Sequence, residues 1–156
     1  MSAVPELVVY GTGSVGGYLG GRLHGLTAVR FIVREGMLRT LRERGMTLTD
    51  LHGFQRVIDG PALDLRTGAA DAIAPLVLVT VKSGDTPQAA RELADVLPAD
   101  ALVISFQNGL HNAELLRAAL PGRTVLAGMV PFNVLQREPG AFHQGSSGEL
   151  MVEDHP

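Results

Sequence analysis

The sequence contains neither cysteine nor tryptophan, and aromatic residues make up only 4% of it. Without cysteine, disulfide bonds and thiolate chemistry are excluded. The scarcity of aromatic residues argues against an aromatic-rich β-sandwich, whereas the abundant Leu, Val and Ala suit buried parallel strands covered by helices. No apolar run approaches the length of a membrane span. The formal net charge of −3 gives no reason to expect nucleic acid or an anionic membrane as a partner.

The remaining composition is that of an ordinary globular domain. Hydrophobic residues account for 46% and charged residues for 19% of the 156 positions, which is enough apolar material for one buried core. We therefore predict a single domain over residues 1–156. Residues 1–6 lack the charged and apolar regions of a signal peptide, so we expect a soluble protein of the cytoplasm.

Short apolar runs alternate with helical patterns along most of the chain. The run at 76–81 is continuous and rich in β-branched residues, as is typical of a central parallel strand. We expect Thr86 to cap the third helix, with Pro87 at its first position. The alternation predicts an α/β fold, a Rossmann-like doubly wound and mostly parallel sheet with helices on both faces. The predicted strands are 7–10, 29–33, 76–81, 102–104 and 124–127, and the predicted helices are 15–26, 37–44, 87–97 and 113–120.

Two segments depart from this alternation. Between Met46 and Arg66 the pattern is strand-like and broken by turns. From Met129 to Val152 there are only short extended segments and glycine turns, with no helical pattern. We predict that this last part adds antiparallel strands to the edge of the main sheet.

The first predicted strand leads directly into the glycine-rich turn Gly11-Thr12-Gly13-Ser14-Val15-Gly16. Binding of a dinucleotide requires a sharp turn, a close approach of the backbone to phosphate, and a helix N-terminus that faces the negative charge. We expect Gly11 to form the turn, Gly13 to allow the approach, and Gly16 to let the helix pack closely, with Gly20 extending that contact. The turn predicts a pyrophosphate site, and the alternative is a structural turn that binds no ligand.

The residue after the second strand indicates which dinucleotide binds. NAD-specific sites carry an acidic side chain there, which accepts hydrogen bonds from the ribose diol. In this sequence the position is occupied by Arg34, whose guanidinium pairs well with a 2′-phosphate. A shift of one position would instead place Glu35 there, but NADP(H) is the favoured cofactor. Arg39, Arg42 and Arg44 are more simply explained as a solvated helix face.

Three later segments, together with the glycine turn, resemble the N-terminal domain of the ketopantoate reductases (2-dehydropantoate 2-reductases). The first is Val81-Lys82-Ser83 followed by Thr86, and the second is Gln107-Asn108-Gly109. The third runs from residues 128–133, Gly-Met-Val-Pro-Phe-Asn, to residues 139–145, Pro-Gly-Ala-Phe-His-Gln-Gly. The resemblance extends over essentially the whole chain, and four motifs in register make it far more specific than the glycine turn alone.

The resemblance implies roles for two residues that follow predicted strands. Lys82 matches the family lysine beside the cofactor and the acidic substrate, and Asn108 matches the asparagine between the nicotinamide ribose and the substrate. Ligands of open α/β sheets bind at such strand ends. The alternatives are a solvated surface lysine and an Asn-Gly turn. Phe132 and Asn133 fall where the family has a loop that lines the cofactor, and no role follows for Gln107.

The implied reaction is the reduction of 2-dehydropantoate, a small 2-keto acid, by NADPH in pantothenate synthesis. In the family, the proton-donating lysine and a glutamate that contacts the substrate belong to a helical C-terminal domain. We expect that domain to be absent from this sequence. We therefore predict no catalytic residue within residues 1–156 and little turnover by the chain alone. A face left uncovered by that domain would favour self-association. A reductase of another 2-keto acid and a stand-alone regulatory NADP(H)-binding module remain as alternatives.

Other site chemistries have little support. The five histidines are scattered and lack the spacing of metal ligands, so we predict no metal site. Residues 145–148, Gly-Ser-Ser-Gly, lack the glycine spacing of a nucleophile elbow.

Overall fold

The computed structural model describes residues 4–108 and 111–155 and consists of two β-sheets with helices around them. The strands are β1 (Leu7–Tyr10), β2 (Val29–Ile32), β3 (Met46–Asp50), β4 (Gln55–Ile58), β5 (Asp64–Arg66), β6 (Leu76–Val79), β7 (Leu102–Ser105), β8 (Thr124–Met129), β9 (Val134–Glu138), β10 (Ala141–Gln144) and β11 (Met151–Val152). The helices are α1 (Ser14–Leu23), α2 (Glu35–Arg44), α3 (Thr86–Val96) and α4 (His111–Ala119).

The main sheet has the strand order β11-β8-β7-β6-β1-β2-β5. All neighbouring pairs from β8 to β5 are parallel, and β11 runs antiparallel to β8 at the edge. From β1 the chain builds outward through β2 to β5 and then returns to build through β6 on the other side. The order of the strands therefore reverses between β1 and β6, which is where open α/β sheets bind their ligands.

Two apolar clusters cover the faces of this sheet. On β1, Leu7 and Val9 belong to the cluster that contains residues of α1 and α2, whereas Val8 belongs to the cluster of α3 and α4. This alternation follows from the two-residue period of a strand, and it places helices on both faces. The predicted doubly wound, mostly parallel fold is thus confirmed.

The second sheet, of order β4-β3-β10-β9, was not expected as a separate unit. The prediction that the segment from 129 to 152 adds strands to the edge of the main sheet holds for β11 but is wrong for β9 and β10. Strand β10 instead pairs parallel with β3 and antiparallel with β9. The reason is packing: Phe142 of β10 is 1% exposed because it lies against α1 and closes the core on that side.

Helix α1 lies between the two sheets, and glycines on two of its faces permit both contacts. A Cβ on Gly20 would lie 2.3 Å from the Phe31 ring of β2, as expected for the face that Gly16 and Gly20 share. A Cβ on Gly17 would lie 2.4 Å from the Phe142 ring of β10. The glycines of α1 therefore let one helix pack closely against two sheets.

Three details of the predicted helices are wrong. Helix α1 ends at Leu23, and the chain turns at Gly25 with a φ of +92°, so Leu26 lies outside the helix and is 82% exposed. Thr86 does not cap α3, because its buried hydroxyl donates to the side chain of Asn112 instead. Pro87 lies in the first turn of α3 but is its second residue and not its first, because the helix begins at Thr86.

Within the described residues, no helix combines the length and hydrophobicity needed to cross a membrane. Large apolar side chains are exposed near the outer edge strand, including Met129, Leu150, Met151 and Val152. Self-association through a face left uncovered by a helical domain stays a prediction.

Candidate functional site

A cleft of about 460 Å³ opens at the carboxyl ends of β1, β2 and β6, at the point where the strand order reverses. It is lined by Tyr10, Gly11, Thr12, Gly13, Ile32, Val33, Arg34, Met37, Thr67, Thr80, Val81, Lys82, Asp85, Gln88, Ala89 and Glu92. Among the residues predicted to bind a ligand, Ser14, Val15, Gly16 and Asn108 do not line this cleft.

The three glycines of the turn differ in their surroundings. Gly11 has a φ of +108°, a conformation that favours glycine, and a Cβ there would lie 2.7 Å from the Val81 backbone nitrogen. A Cβ on Gly16 would lie 2.1 Å from the Gly11 carbonyl oxygen. A Cβ on Gly13, by contrast, would have no atom within 4 Å. Gly11 and Gly16 are therefore needed to close the turn, whereas the backbone at Gly13 faces open space in the cleft.

Two other side chains of the turn, those of Thr12 and Val15, make contacts within the fold. The Thr12 hydroxyl is buried and donates to the Ile32 carbonyl oxygen at 3.1 Å, which fixes the turn to the end of β2. Val15 packs against the core. A ligand in the cleft could instead use the backbone N–H groups at the start of α1 as hydrogen-bond donors.

Arg34 lies at the far end of the cleft, immediately before α2. Its side chain is 87% exposed, and its Nη2 atom lies 3.2 Å from the Asp85 carboxylate. An exposed ion pair of this kind contributes little to stability, so Arg34 can exchange partners at low cost. Glu35, the alternative acidic candidate, does not line the cleft.

The floor of the cleft contains a tyrosine–carboxylate pair. The buried Tyr10 hydroxyl donates to Glu92, and Gln88 donates to the same carboxylate at 2.9 Å. Burial, together with the hydrogen bond and the charge of Glu92, raises the pKa of Tyr10 above its usual value. The phenol therefore stays protonated at neutral pH and serves as a donor.

The predicted site residues follow the order of the strands along one rim of the sheet. Asn108 follows β7, Lys82 follows β6, the glycine turn follows β1, and Arg34 follows β2. With strands about 4.8 Å apart, the three spacings from β7 to β2 separate the two ends by about 14 Å. Lys82 and Asn108 are both exposed, and Arg34 lies on the opposite side of the turn.

Gln107, to which the sequence analysis assigns no role, links the loops after β6 and β7. Its Nε2 atom donates to the Val81 carbonyl at 2.9 Å and to the Thr86 hydroxyl at 2.7 Å. Its Oε1 atom accepts from the Ser105 hydroxyl at 2.8 Å. Propensity and spacing do not reveal such a residue, because two of its three partners, Val81 and Thr86, are distant in sequence.

Phe132 does not line the cleft. It is buried in the core with its ring edge-on to Tyr18, at a centroid distance of 6.1 Å. Asn133 is exposed and hydrogen-bonded through its backbone to Ser146, outside the cleft. Neither residue therefore lines this cleft, and their place in a loop that lines the cofactor stays a prediction.

The donor set fits a phosphorylated dinucleotide better than a metal ion. An open backbone at Gly13, the N-terminus of α1, and the cations Arg34 and Lys82 all offer positive potential or N–H donors to anionic oxygens. Between residues 4 and 108 and between 111 and 155, no group of three potential metal ligands occurs.

Comparison with protein families gives a match over nearly the whole chain. The profile described as Ketopantoate reductase PanE/ApbA matches residues 7–156. Among curated proteins, the 2-dehydropantoate 2-reductase of Halobacterium salinarum is 36% identical over 149 residues, which cover 94% of this chain and 48% of that protein. The uncharacterized oxidoreductase YkpB of Bacillus subtilis is 27% identical over 151 residues, with the same two coverages of 94% and 48%.

Solved structures agree with this match. A PanE/ApbA family ketopantoate reductase from Ralstonia eutropha superposes with a TM-score of 0.83 and 32% identity, over 94% of this chain and 48% of the other. The chain therefore spans about half the length of the relatives that it matches. These matches, together with the fold and the glycine turn, show that the chain belongs to the ketopantoate reductase family and corresponds to its N-terminal domain.

Proposed function

We propose that this chain binds NADP(H) in the cleft and forms the cofactor-binding half of a 2-dehydropantoate 2-reductase. The observation that carries the proposal is the combination of an open Gly13 backbone in the turn with a basic Arg34 at the end of β2. The first suits a pyrophosphate, and the second suits a 2′-phosphate better than a ribose diol. The curated relative from Halobacterium salinarum is named for this reaction.

In this proposal the pyrophosphate rests on the backbone between Gly11 and Gly13, where the N-terminus of α1 adds favourable potential. Arg34 turns from Asp85 to the 2′-phosphate, because a phosphate offers a stronger charge-assisted contact than an exposed carboxylate. Thr12 holds the turn in place through Ile32 and contributes no side-chain contact of its own.

The other end of the cleft would receive the nicotinamide and the substrate. When bound, the reduced nicotinamide supplies the hydride for reduction of a keto carbon. Lys82 offers a positive charge to the carboxylate of a small 2-keto acid, and Asn108 offers both a donor and an acceptor to hydroxyl or keto oxygens. These two residues bind and orient the substrate, and we assign the role of proton donor to neither.

A single wall does not form a reaction chamber. Efficient hydride transfer requires a cleft that excludes water and fixes the substrate against the nicotinamide. We therefore expect the 156-residue chain to bind cofactor while reducing ketopantoate far more slowly than a full-length reductase. Turnover close to that of a full-length enzyme would contradict this expectation.

The test is a side-by-side titration of the purified chain with NADPH and NADH, by calorimetry or by nicotinamide fluorescence. We expect preference for NADPH, and we expect Arg34→Ala to lower NADPH affinity by more than about tenfold, as for the loss of a charge-assisted hydrogen bond. NADH affinity should hardly change in this variant.

The matched control is Arg39→Ala, which removes an exposed arginine of α2, the helix that follows Arg34, outside the cleft. It should leave both affinities unchanged. Equal affinity for the two nucleotides, or equal losses in the two variants, would contradict the assignment of Arg34.

A further inference from the structure

Behind the rim lies a buried polar cluster that the proposed binding contacts do not use. Its centre is Asn112 on α4, which is 3% exposed, and Thr86 on α3, which is fully buried. Buried polar groups cost free energy unless they are hydrogen-bonded, and a fully satisfied network fixes one arrangement of the segments that it joins.

Every polar atom of the Asn112 side chain has a partner. Its Nδ2 atom donates to the Asn108 carbonyl oxygen at 2.7 Å and to the Ser83 hydroxyl at 3.0 Å. Its Oδ1 atom accepts from the Thr86 hydroxyl at 2.9 Å. One side chain therefore contacts the loop after β6, the loop after β7 and the start of α3.

These contacts fall on the two loops that carry the exposed residues of the rim. Ser83 directly follows Lys82, and the carbonyl that accepts from Asn112 belongs to Asn108 itself. The Ser83 hydroxyl also lies 3.5 Å from that carbonyl, so the two loops meet at one point. Neither Lys82 nor Asn108 is held in place by its own burial, because both are exposed.

We infer that Asn112 is a positioning residue, which holds Lys82 and Asn108 in register at the nicotinamide and substrate end of the cleft. The inference rests on the proposed function for the identity of that end. It assigns Asn112 no contact with cofactor or substrate, since its side chain is buried and fully paired within the protein. Thr12 and Arg34, at the adenosine end, share no hydrogen bond with Asn112, and Arg34 meets the loop after β6 only through its exposed pair with Asp85, which the 2′-phosphate would replace. In the nucleotide complex the adenosine end is therefore independent of the Asn112 hydrogen bonds.

This independence gives a test with two ligands. NADPH occupies both ends of the cleft, whereas adenosine 2′,5′-bisphosphate occupies only the adenosine end. Asn112→Asp keeps the shape and the acceptor for Thr86 but replaces the donor that faces Asn108 and Ser83. We expect NADPH affinity to fall by about tenfold, the size of effect that lost hydrogen bonds produce, while bisphosphate affinity stays unchanged.

Two further variants separate positioning from general destabilisation. Ser83→Ala removes an exposed partner of Asn112 and should lower NADPH affinity in the same direction by a smaller factor, even where Asn112→Asp fails to fold. Leu116→Val truncates a buried core side chain on the same helix and removes no polar contact. It should lower stability and leave the ratio of the two affinities unchanged.

Equal losses for both ligands, or no loss for either, would overturn the inference. Amide hydrogen exchange provides a readout that needs no cofactor: Asn112→Asp should speed exchange at residues 81–83 and 105–108 and leave Gly11 and Gly13 unchanged. Unchanged exchange in those loops would also overturn it. If the parent chain bound no NADPH, the proposed function would fall, and the exchange result would still decide the role of Asn112.

Discussion

The two ends of the cleft are built in different ways. At one end, Arg34 is an exposed side chain with a single exposed ion-pair partner, Asp85. At the other end, buried hydrogen bonds centred on Asn112 and Thr86 fix the loops that carry Lys82 and Asn108. Under the proposed function, charge selection would depend on a side chain that can change partners, and positioning of the substrate on hydrogen-bonded loops.

The glycine turn lies between the two ends, and a methyl group at Gly16 should disrupt both. It would lie 2.1 Å from the Gly11 carbonyl oxygen and 2.5 Å from the Thr80 hydroxyl, with no room to move. We expect Gly16→Ala to lower the free energy of unfolding by about 3 kcal/mol, at the upper end of overpacking costs. Urea unfolding measures this, and a change within about 0.5 kcal/mol, typical of a surface substitution, would show that the turn is not close-packed.

Gly13→Ala is the matched substitution in the same turn, and it should affect binding alone. The new methyl group meets no atom within 4 Å, and the φ of −91° suits alanine. We expect stability close to that of the parent and a loss of NADPH affinity of about tenfold or more, because the methyl group occupies the approach of the pyrophosphate. Calorimetric titration with unfolding of the same sample checks both parts, and retained affinity would place the pyrophosphate elsewhere.

The hydrogen bond from Tyr10 to Glu92, in the lining of the cleft, leads us to predict that stability depends on pH. The pKa of Tyr10 is raised above its usual value of 10.0, so its protonated hydroxyl stabilises the folded state fully below pH 10. This stabilisation is lost as the pH rises toward the pKa of Tyr10 in the folded protein. Urea unfolding between about pH 8 and 11 should show the parent losing up to about 1.4 kcal/mol per pH unit above pH 10. The Tyr10→Phe variant should have a free energy of unfolding about 1 kcal/mol lower than that of the parent at neutral pH, and this free energy should not show the same decrease above pH 10.

Tyr18→Phe is the control for this experiment, because it leaves Tyr10 and Glu92 in place and should keep the slope of the parent. Parallel curves for the parent and Tyr10→Phe would mean that the Tyr10–Glu92 pair does not govern the alkaline loss of stability.

The smallest effect is expected at the end of the cleft that contains Arg34, where the substitution should raise NADPH affinity and not lower it. Asp85→Asn removes the carboxylate that competes with a 2′-phosphate for Arg34. Since exposed pairs are worth about 0.2–1 kcal/mol, NADPH affinity should rise by a few fold, and the gain should shrink at high salt. Asp95→Asn, an exposed acid of α3 outside the cleft, is the control. Weaker NADPH binding by Asp85→Asn would mean that Asp85 assists the cofactor.

Local patterns predicted the main sheet and its rim well. Each of its parallel strands but the short β5 lies next to a helix in sequence, so alternation alone gives the order of elements, and Lys82 and Asn108 then fall at neighbouring strand ends. The Gly11 turn and the close packing of Gly16 and Gly20 were also predicted, because these depend on positions within one strand–helix unit.

The parts that were missed depend on contacts between distant segments. A short extended pattern such as β10 does not reveal that its partner is β3, and a threonine before a proline suggests a cap where Thr86 in fact bonds to Asn112. One signal was available: the glycines at 17 and 21 repeat the spacing of 16 and 20, and they predict a second close-packed face of α1.

The proposed NADP(H) site runs along the rim from Arg34 to Lys82. Nuclear magnetic resonance of the ¹⁵N-labelled chain, titrated with NADPH, locates the bound nucleotide residue by residue. We predict amide shift changes concentrated at Gly11, Gly13, Arg34 and Lys82, with none in strand β4 of the second sheet at residues such as Val57. Changes confined to the second sheet, or no changes at millimolar NADPH, would contradict the proposed site.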